Sequence, residues 1–511
     1  MFHKNMYTES LKTLLNPVLH TDSYKLSHKV MEPKGTEYIY ANFTPRFNHY
    51  FHDSYPDHDG KVVVAGTQLF VLKELVHAWS VGFFQRNREE VLAEIRQYLY
   101  PYLGMDHPQL KHFGELHDLG YLPLRIKALR EGTVVNIQTP TLTVINTDQR
   151  FSWLTNYIES VLSAEIWKPM TIATAAREFA RVRNKWFDLT VSDHGFKNYA
   201  VHDFSYRGHS THESSAACGT SALIFSNGTD NVPAVVQSRL LYLAGEDVAG
   251  SVPASEHSVT TLGINHYASL ELKGELKLMA GQLKAHLVAI DAEDEYEKAV
   301  GELITLYRLA TEVFPSGIFS YVSDSYDYWR LITVILPILK PALLRRDGKL
   351  VVRPDSGDPV DIVVGESRNT TVVKTEYELR SIFDIGNEDV TFEFEGKLYT
   401  LGDYYLEELN DFGREGTGNM TSLASIENLV ESGYLEETVI STDSSAWKGS
   451  IQCLWEIFGG HINDKGYKEL DPHIGLIYGD GITYNRAEGI YSGLATKGFA
   501  ANNVVLGVGL T

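Results

Sequence analysis

The chain is poor in cysteine. It has two, Cys218 and Cys453, in 511 residues. That excludes a disulfide-built secreted scaffold and points to a reducing compartment. It also lacks long apolar runs. The longest, LITVILPILKPALL, is broken by Pro337, Lys340 and Pro341. It is too short to span a bilayer and predicts a buried helix instead. The N-terminal MFHKNMYTESLKTLLNP has no apolar stretch of signal-peptide length. Positive charge is in deficit as well: 45 Lys and Arg stand against 66 Asp and Glu, a formal net charge of -21. Such a balance disfavours binding to nucleic acid or to anionic membrane, while leaving room for a small basic pocket for phosphates. The expectation is a soluble, cytoplasmic protein with neither nucleic acid nor membrane as partner.

What is present is a large core. Hydrophobic residues make up 43% and aromatics 11%, which argues against disorder. The length predicts two or more domains. Residues 1–150 read as a mixed, β-rich domain. In LPLRIKALREGTVVNIQTPTLTVINT, short β-type runs are broken by Glu-Gly and Thr-Pro turns, the pattern of a small antiparallel region. Residues 151–511 read differently. Helical periodicity begins at FSWLTNYIESVLSAEIW. Five short apolar runs then follow, NYAV, FSYVS, LVVR, IGLIY and NVVL, each leading into a polar or Gly-rich loop. Strand, loop and helix in repetition predict a parallel α/β fold, with chemistry at the strand ends. Acidic, aromatic-rich sequence at about 362–470 separates two of these runs and reads as an insertion. Within it, TFEFEGKLYTLGDYY predicts a hairpin around Glu395-Gly396 followed by a helix.

The loops carry the candidate chemistry. In RPDSGDP, Arg353 suits planar phosphate recognition, and Asp355 suits ribose hydroxyls or a Mg²⁺ ion bridging phosphates. An Arg–Asp pair that pins a turn fits the same residues. GDG (Gly479, Asp480, Gly481) and GVG (Gly507, Gly509) allow close backbone approach to an anion, although glycine after a strand is commonly just a turn. HDFSYRG offers Phe204 for stacking on a planar ring and Arg207 for a phosphate; a core Phe beside a surface Arg is the plainer reading. NGTDNV holds Asp230, an acceptor for a ligand amide or simply a turn Asp. His209 and His212 in HSTHES have a spacing that places two ligands on one face, but no further metal ligand has a recognisable spacing. SVPASEHS puts Glu256 beside His257, and Asp324 of SDSYD is a partner able to orient that histidine.

Together TDSYK (21–25), HDFSYRG, GTD (228–230), SVPASEHS, SDSYD, RPDSGDP and GDG resemble, in order, the nicotinamide phosphoribosyltransferase family in its bacterial and phage-like form. The resemblance runs from about residue 15 to the end, excluding the insertion. It implies an irregular parallel α/β barrel of the type II phosphoribosyltransferase kind beside a second, β-rich domain. It also implies a homodimer with its active site at the interface. The implied reaction makes nicotinamide mononucleotide and pyrophosphate from nicotinamide and phosphoribosyl pyrophosphate, with Mg²⁺. By this resemblance Phe204, and Tyr24 from the partner subunit, sandwich the nicotinamide. Asp230 accepts from its carboxamide, with Ser320 nearby. Arg207, Ser251, Arg353, Asp355, Gly479, Asp480, Gly481, Gly507 and Gly509 surround ribose and phosphates, with Asp355 as the Mg²⁺ residue. The histidine matching His257 is phosphorylated by ATP, and Glu256 and Asp324 orient it.

Departures from the family pattern are also legible. Gly475 stands where animal members carry arginine, and the last glycine run reads GVGLT. The family continues past this glycine loop with a further strand, basic phosphate contacts and part of the β-rich domain, so the 511-residue chain is expected to be a fragment. Two other functions are carried alongside. A nicotinate-using relative would place a substrate carboxylate against Asp230, repelled by roughly several tenths to a few kcal/mol. A truncated, non-catalytic binding protein is the other.

Overall fold

The structure is a computed structural model, described over residues 11–47, 49–104, 110–365, 370–372, 391–394, 397–401, 435–438 and 445–510. The chain divides into two compact units. One comprises Met1–Pro253, Ile462–Glu469 and Ile477–Thr511; the other comprises Ala254–His461 and Leu470–Leu476.

The first unit begins with an antiparallel sheet of β1 (Tyr40–Phe43), β2 (Leu124–Ala128) and β3 (Leu142–Asn146), with β3 in the centre. Alternation along β3 buries Leu142, Val144 and Asn146, as the half-buried strand pattern requires. An aromatic core lies in this unit: Phe83, Phe113, Phe151, Trp153 and Tyr157 are all at most 2% exposed. Tyr157 keeps its buried hydroxyl satisfied by donating to the Val18 carbonyl at 2.6 Å. The 32-residue helix α1 (Glu159–Thr190) follows, as the apolar periodicity predicts. It leads to the parallel strands β4 (Val201–Asp203) and β5 (Gly228–Thr229), and β5 runs into helix α2 (Val232–Leu241).

The second unit contains helix α3 (His257–Tyr267), helix α4 (Tyr296–Arg308), strand β6 (Ser316–Val322) and strand β7 (Asp347–Arg353). β7 pairs in parallel with β6 and with the first residues of β8 (Ile474–Tyr478). The apolar run at 331–344 is a buried helical stretch, with Leu331, Ile332, Ile335, Leu336 and Leu339 fully enclosed. From the predicted insertion the described residues form a four-stranded sheet. Thr391–Phe394 and Lys397–Leu401 pair antiparallel in it, the two arms of the expected hairpin. The turn itself and the helix predicted after it lie outside the described residues.

Within β8 the chain passes back into the first unit, where helix α5 (Tyr484–Thr496) and strand β9 (Val504–Val508) complete it. β9 pairs in parallel with β4. All five apolar runs therefore contribute strands, and the β4–β5, β4–β9, β6–β7 and β7–β8 pairings are parallel. One boundary differs: of NYAV, Lys197–Tyr199 is a short 3₁₀ turn and the strand starts at Val201. The fold is α/β with parallel strands, accompanied by an antiparallel β-rich portion.

Candidate active site

In the first unit the site is built at the carboxyl ends of β4, β5 and β9. The Phe204 amide donates to the Val508 carbonyl at 2.9 Å, and the Asp230 amide donates to the Asp203 carbonyl at 3.1 Å. These bonds place Phe204 and Asp230 just beyond adjacent strand ends. Phe204 lies on two glycines. A side chain at Gly479 would bring its Cβ to 2.7 Å from Phe204 Cδ2, and one at Gly507 would meet the same ring edge and, at 2.9 Å, the Gly479 Cα. Glycine is required here because an aromatic ring occupies the space of a Cβ. The sequence pattern had offered these glycines as backbone for an anion.

Asp230 is held from two sides. Its Oδ1 accepts from the Ser251 hydroxyl at 2.6 Å and from His202 Nε2 at 2.9 Å. His202 is 7% exposed and meets Phe204 edge-on, with ring centroids 5.1 Å apart. Sequence reasoning passed over His202. The signal was there, since positions i and i+2 of an extended segment share a face and His202 stands two before Phe204. Arg207 is an exposed guanidinium in the short turn Tyr206–Gly208, with no hydrogen bond to the other described residues. Gly481 takes a positive φ, and its carbonyl accepts from Arg486 Nη1 at 2.8 Å. Asp480 and Gly509 are exposed. Thr483 caps α5 directly after this loop, so a helix N-terminus follows Gly481. Tyr24 is 55% exposed, and its ring contacts are with His28 and Lys25, not with Phe204.

His209 and His212 go separate ways. His209 Nε2 lies 3.1 Å from the Ser205 hydroxyl, and His212 Nε2 lies 3.1 Å from Glu213 Oε1. Burial pushes the His209 imidazole down, and Lys168 adds to this. Among the described residues the group with metal-ligand spacing is His58, Asp59 and Glu178. Arg177 pairs with both carboxylates and Arg181 with Glu178, and the Arg177 hydrogen bonds hold Asp59 well below the usual carboxylate range. Two guanidiniums already neutralise these acids, so the cluster is an ion-pair network fastening a loop to α1. A cavity of about 1010 Å³ lined by Phe43, Arg46, Trp167 and Met170 contains none of the sequence-predicted site residues.

In the second unit the chemistry collects around Asp324. His257 is the first residue of α3, and its Nε2 lies 3.0 Å from Asp324 Oδ1. The other oxygen, Oδ2, accepts from the Asp355 amide at 3.0 Å and from the Ser356 hydroxyl at 2.7 Å. One carboxylate thus joins the SEHS segment to the RPDSGDP loop. Arg353 Nη2 donates to Asp355 Oδ1 at 3.0 Å, so the guanidinium pins its own loop. Glu256 does not reach His257; its carboxylate accepts from the Ser258 hydroxyl. Ser320 on β6 is 4% exposed, and its hydroxyl has no hydrogen-bond partner among the described residues. Such a group is rare in folded proteins and marks a place for a ligand atom or a solvent molecule. At Gly475 the Lys349 side chain crosses the strand, and a Cβ there would meet its Cδ at 3.2 Å. Ser356 was missed by sequence reasoning, which took the acid and the arginine of its motif.

The profile of the nicotinate phosphoribosyltransferase (NAPRTase) family matches residues 199–382 and 430–511. A nicotinamide phosphoribosyltransferase of Acinetobacter baylyi is 36% identical over 503 residues, covering 97% of this chain and 78% of that protein. One from Mycoplasma pneumoniae is 27% identical over 518 residues, covering 98% and 86%. Among solved structures, human nicotinic acid phosphoribosyltransferase is similar over 96% of this chain and 73% of that one, with 16% identity and a TM-score of 0.48. The class is that of the phosphoribosyltransferases. Within it, the chain belongs to the nicotinate phosphoribosyltransferase family, pentosyltransferases that move a phosphoribosyl group in NAD salvage.

Proposed function

We propose that the chain transfers the phosphoribosyl group of phosphoribosyl pyrophosphate to nicotinamide, giving nicotinamide mononucleotide and pyrophosphate. The observation that carries the choice of base is Asp230. A carboxylate held by Ser251 and His202 beside the Phe204 ring is an acceptor suited to a carboxamide N–H. A ring carboxylate in the same place would meet like charge.

Transfer proceeds through an oxocarbenium-like state at ribose C1. The bond to pyrophosphate breaks as the nicotinamide ring nitrogen bonds to C1, so no nucleophilic side chain is needed. Asp355 and Arg353 supply the acid and the cation for ribose and phosphates. Mg²⁺ fits this donor set, since it is commonly held by one carboxylate together with substrate phosphates, and it would neutralise pyrophosphate charge.

His257 receives the γ-phosphoryl group of ATP, releasing ADP, and hydrolysis of the phosphohistidine drives the transfer toward product. Support comes from the geometry of the ring: Asp324 holds Nε2–H, which leaves the Nδ1 lone pair as the acceptor.

The enzyme acts in the cytoplasm as a homodimer, with the partner's Tyr24 on the ring face opposite Phe204. Its exposure supports this, as does an outward apolar stripe on and after α2: Val232, Val236, Leu240 and Leu243 are 50–86% exposed. No described helix is long and apolar enough to cross a membrane.

The deciding assay offers nicotinamide and nicotinate separately with phosphoribosyl pyrophosphate and Mg²⁺, with and without ATP. Mononucleotide from nicotinamide, stimulated by ATP, is expected. Preference for nicotinate would sink the assignment of Asp230.

A further inference from the structure

Asp230 is exposed, and Asn231, the next residue, is fully buried. Both ends of the Asn231 side-chain amide are satisfied, as a buried polar group requires. Nδ2 donates to the Ser215 carbonyl at 2.9 Å and to the Ser215 hydroxyl oxygen at 3.0 Å. Oδ1 accepts from the Ala234 amide at 3.3 Å. The Ser215 carbonyl can only accept and the Ala234 amide can only donate, so the partners fix which way this group points. Ser215 is itself fully buried, on the helix His212–Ala222 that follows the Phe204–Arg207 loop.

The local sequence explains why an asparagine stands here. Asn231 is the N-cap of α2. Pro233, the second residue of that helix, has no N–H, so the cap reaches to Ala234. Serine, threonine or aspartate would cap as well, but none of them offers two N–H donors to Ser215. Gly219, one turn after Ser215, leaves the room: a Cβ there would lie 2.4 Å from Asn231 Nδ2 and 2.7 Å from Ala234 Cβ. The main chain around Asp230 is pinned as well. Its amide donates to the Asp203 carbonyl at 3.1 Å, its carbonyl accepts from the Val232 amide at 3.1 Å, and the Asn231 amide donates to the buried Thr229 hydroxyl at 3.0 Å. The bonds to Thr229 and Val232 lie within one short segment. The Asn231 side chain is what ties that segment to a separate helix.

We propose that Asn231 is a positioning residue for base recognition: its buried amide, anchored on Ser215, holds the Asp230 carboxylate in place at the end of β5. The inference rests on the reading of Asp230 as the acceptor for the carboxamide. Asn231 touches no substrate in this role. It acts through the direction in which the main chain presents Asp230.

The test compares the full chain with Asn231→Ser, which keeps a cap oxygen and removes both bonds to Ser215. Hydrogen exchange of the Asp230 and Asn231 amides should quicken by about tenfold or more, with α1 unchanged. This arm depends on no activity. In the transfer assay kcat/KM for nicotinamide should fall by about 10- to 100-fold, the effect of misplacing a binding group by about 1 Å. The loss should lie in KM for nicotinamide, with KM for phosphoribosyl pyrophosphate little changed. A residue that only stabilised the fold would lower the amount of active protein and leave both KM values alone. Added to Asp230→Ala, N231S should have little further effect on nicotinamide, because two residues that act through one contact are not additive. Full additivity, unchanged exchange at 230 and 231, or a normal KM for nicotinamide in N231S would each overturn the proposal. If N231S does not fold, Ser215→Ala carries the test. Removing one of the two acceptors should raise KM for nicotinamide by about 2- to 10-fold, an effect lost in the Asp230→Ala background, and an unchanged KM overturns the idea. Faster exchange at 230 and 231 in a chain that makes no mononucleotide from nicotinamide overturns the proposed function, not the anchoring of Asp230 by Asn231.

Discussion

His257 and Asp324 face one another at 3.0 Å, Nε2 to Oδ1, from the first turn of a helix and the loop after a strand. Asp324 is nearly enclosed, with its side chain 7% exposed, while His257 is 51% exposed. The buried partner is therefore the fixed one, and in the proposed phosphorylation it would dictate which imidazole nitrogen accepts the phosphoryl group. ATP-dependent labelling should place the phosphoryl group on Nδ1, read by phosphorus NMR of the denatured protein. Asp324→Asn should reduce ATP stimulation by about 10- to 150-fold, the equivalent of one charge-assisted hydrogen bond of about 1.5–3 kcal/mol. Phosphate on Nε2 would contradict the geometry.

Asp230→Ala removes the proposed acceptor for the carboxamide. Its kcat/KM for nicotinamide should fall by about 10- to 150-fold, on the same hydrogen-bond arithmetic. Its kcat/KM for nicotinate should fall less or rise. His202→Ala should act in the same direction but more weakly, because Ser251 still holds the same oxygen. Equal losses for both bases would show that Asp230 does not read the amide.

Gly479→Ala and Gly507→Ala test the seat of Phe204. Each methyl group collides with the ring, so the ring must leave its place or the strands must part. Overpacking of this kind costs about 1–3 kcal/mol. Thermal unfolding should register the loss, and KM for nicotinamide should rise more than KM for phosphoribosyl pyrophosphate. A higher KM for phosphoribosyl pyrophosphate alone would return the glycines to a phosphate role.

What the sequence made legible follows its periodicities. Five short β-rich runs before polar loops became parallel strands, and the loops supplied Phe204, Asp230, Asp324 and Asp355. Hidden were contacts that depend on distance in space. His202 and Ser356 sit inside motifs already singled out, but an inward histidine and a loop serine give no pattern of their own. Glu302 was invisible for the opposite reason. It lies in a helical segment, VGELITLYR, where a glutamate ordinarily belongs on the solvated face, and only the fold shows it turned inward. Gly479 and Gly507 show a further limit: their residue type was legible, but their packing against the Phe204 ring was not.

The stripe on and after α2 carries the last prediction. Val232, Val236 and Leu240 recur every four residues, so they share one face, and all three are at least 50% exposed. A helix normally turns such a face inward, and here Ala234 and Ser238 are the residues buried instead. Covering three such side chains would contribute several kcal/mol at about 25 cal/mol per Å², so a solvated stripe is a face in search of a partner. A second copy is the partner the proposed site requires, since the ring contacts of Tyr24 are with His28 and Lys25 and not with Phe204. Val236→Glu with Leu240→Glu should shift sedimentation from dimer to monomer and reduce transfer at low protein concentration, leaving the Tm of the monomer little changed. Mixing Tyr24→Ala with Asp230→Ala chains should restore part of the activity, because one of the two sites in a mixed dimer is then intact. A monomeric wild type with full activity would refute the shared site.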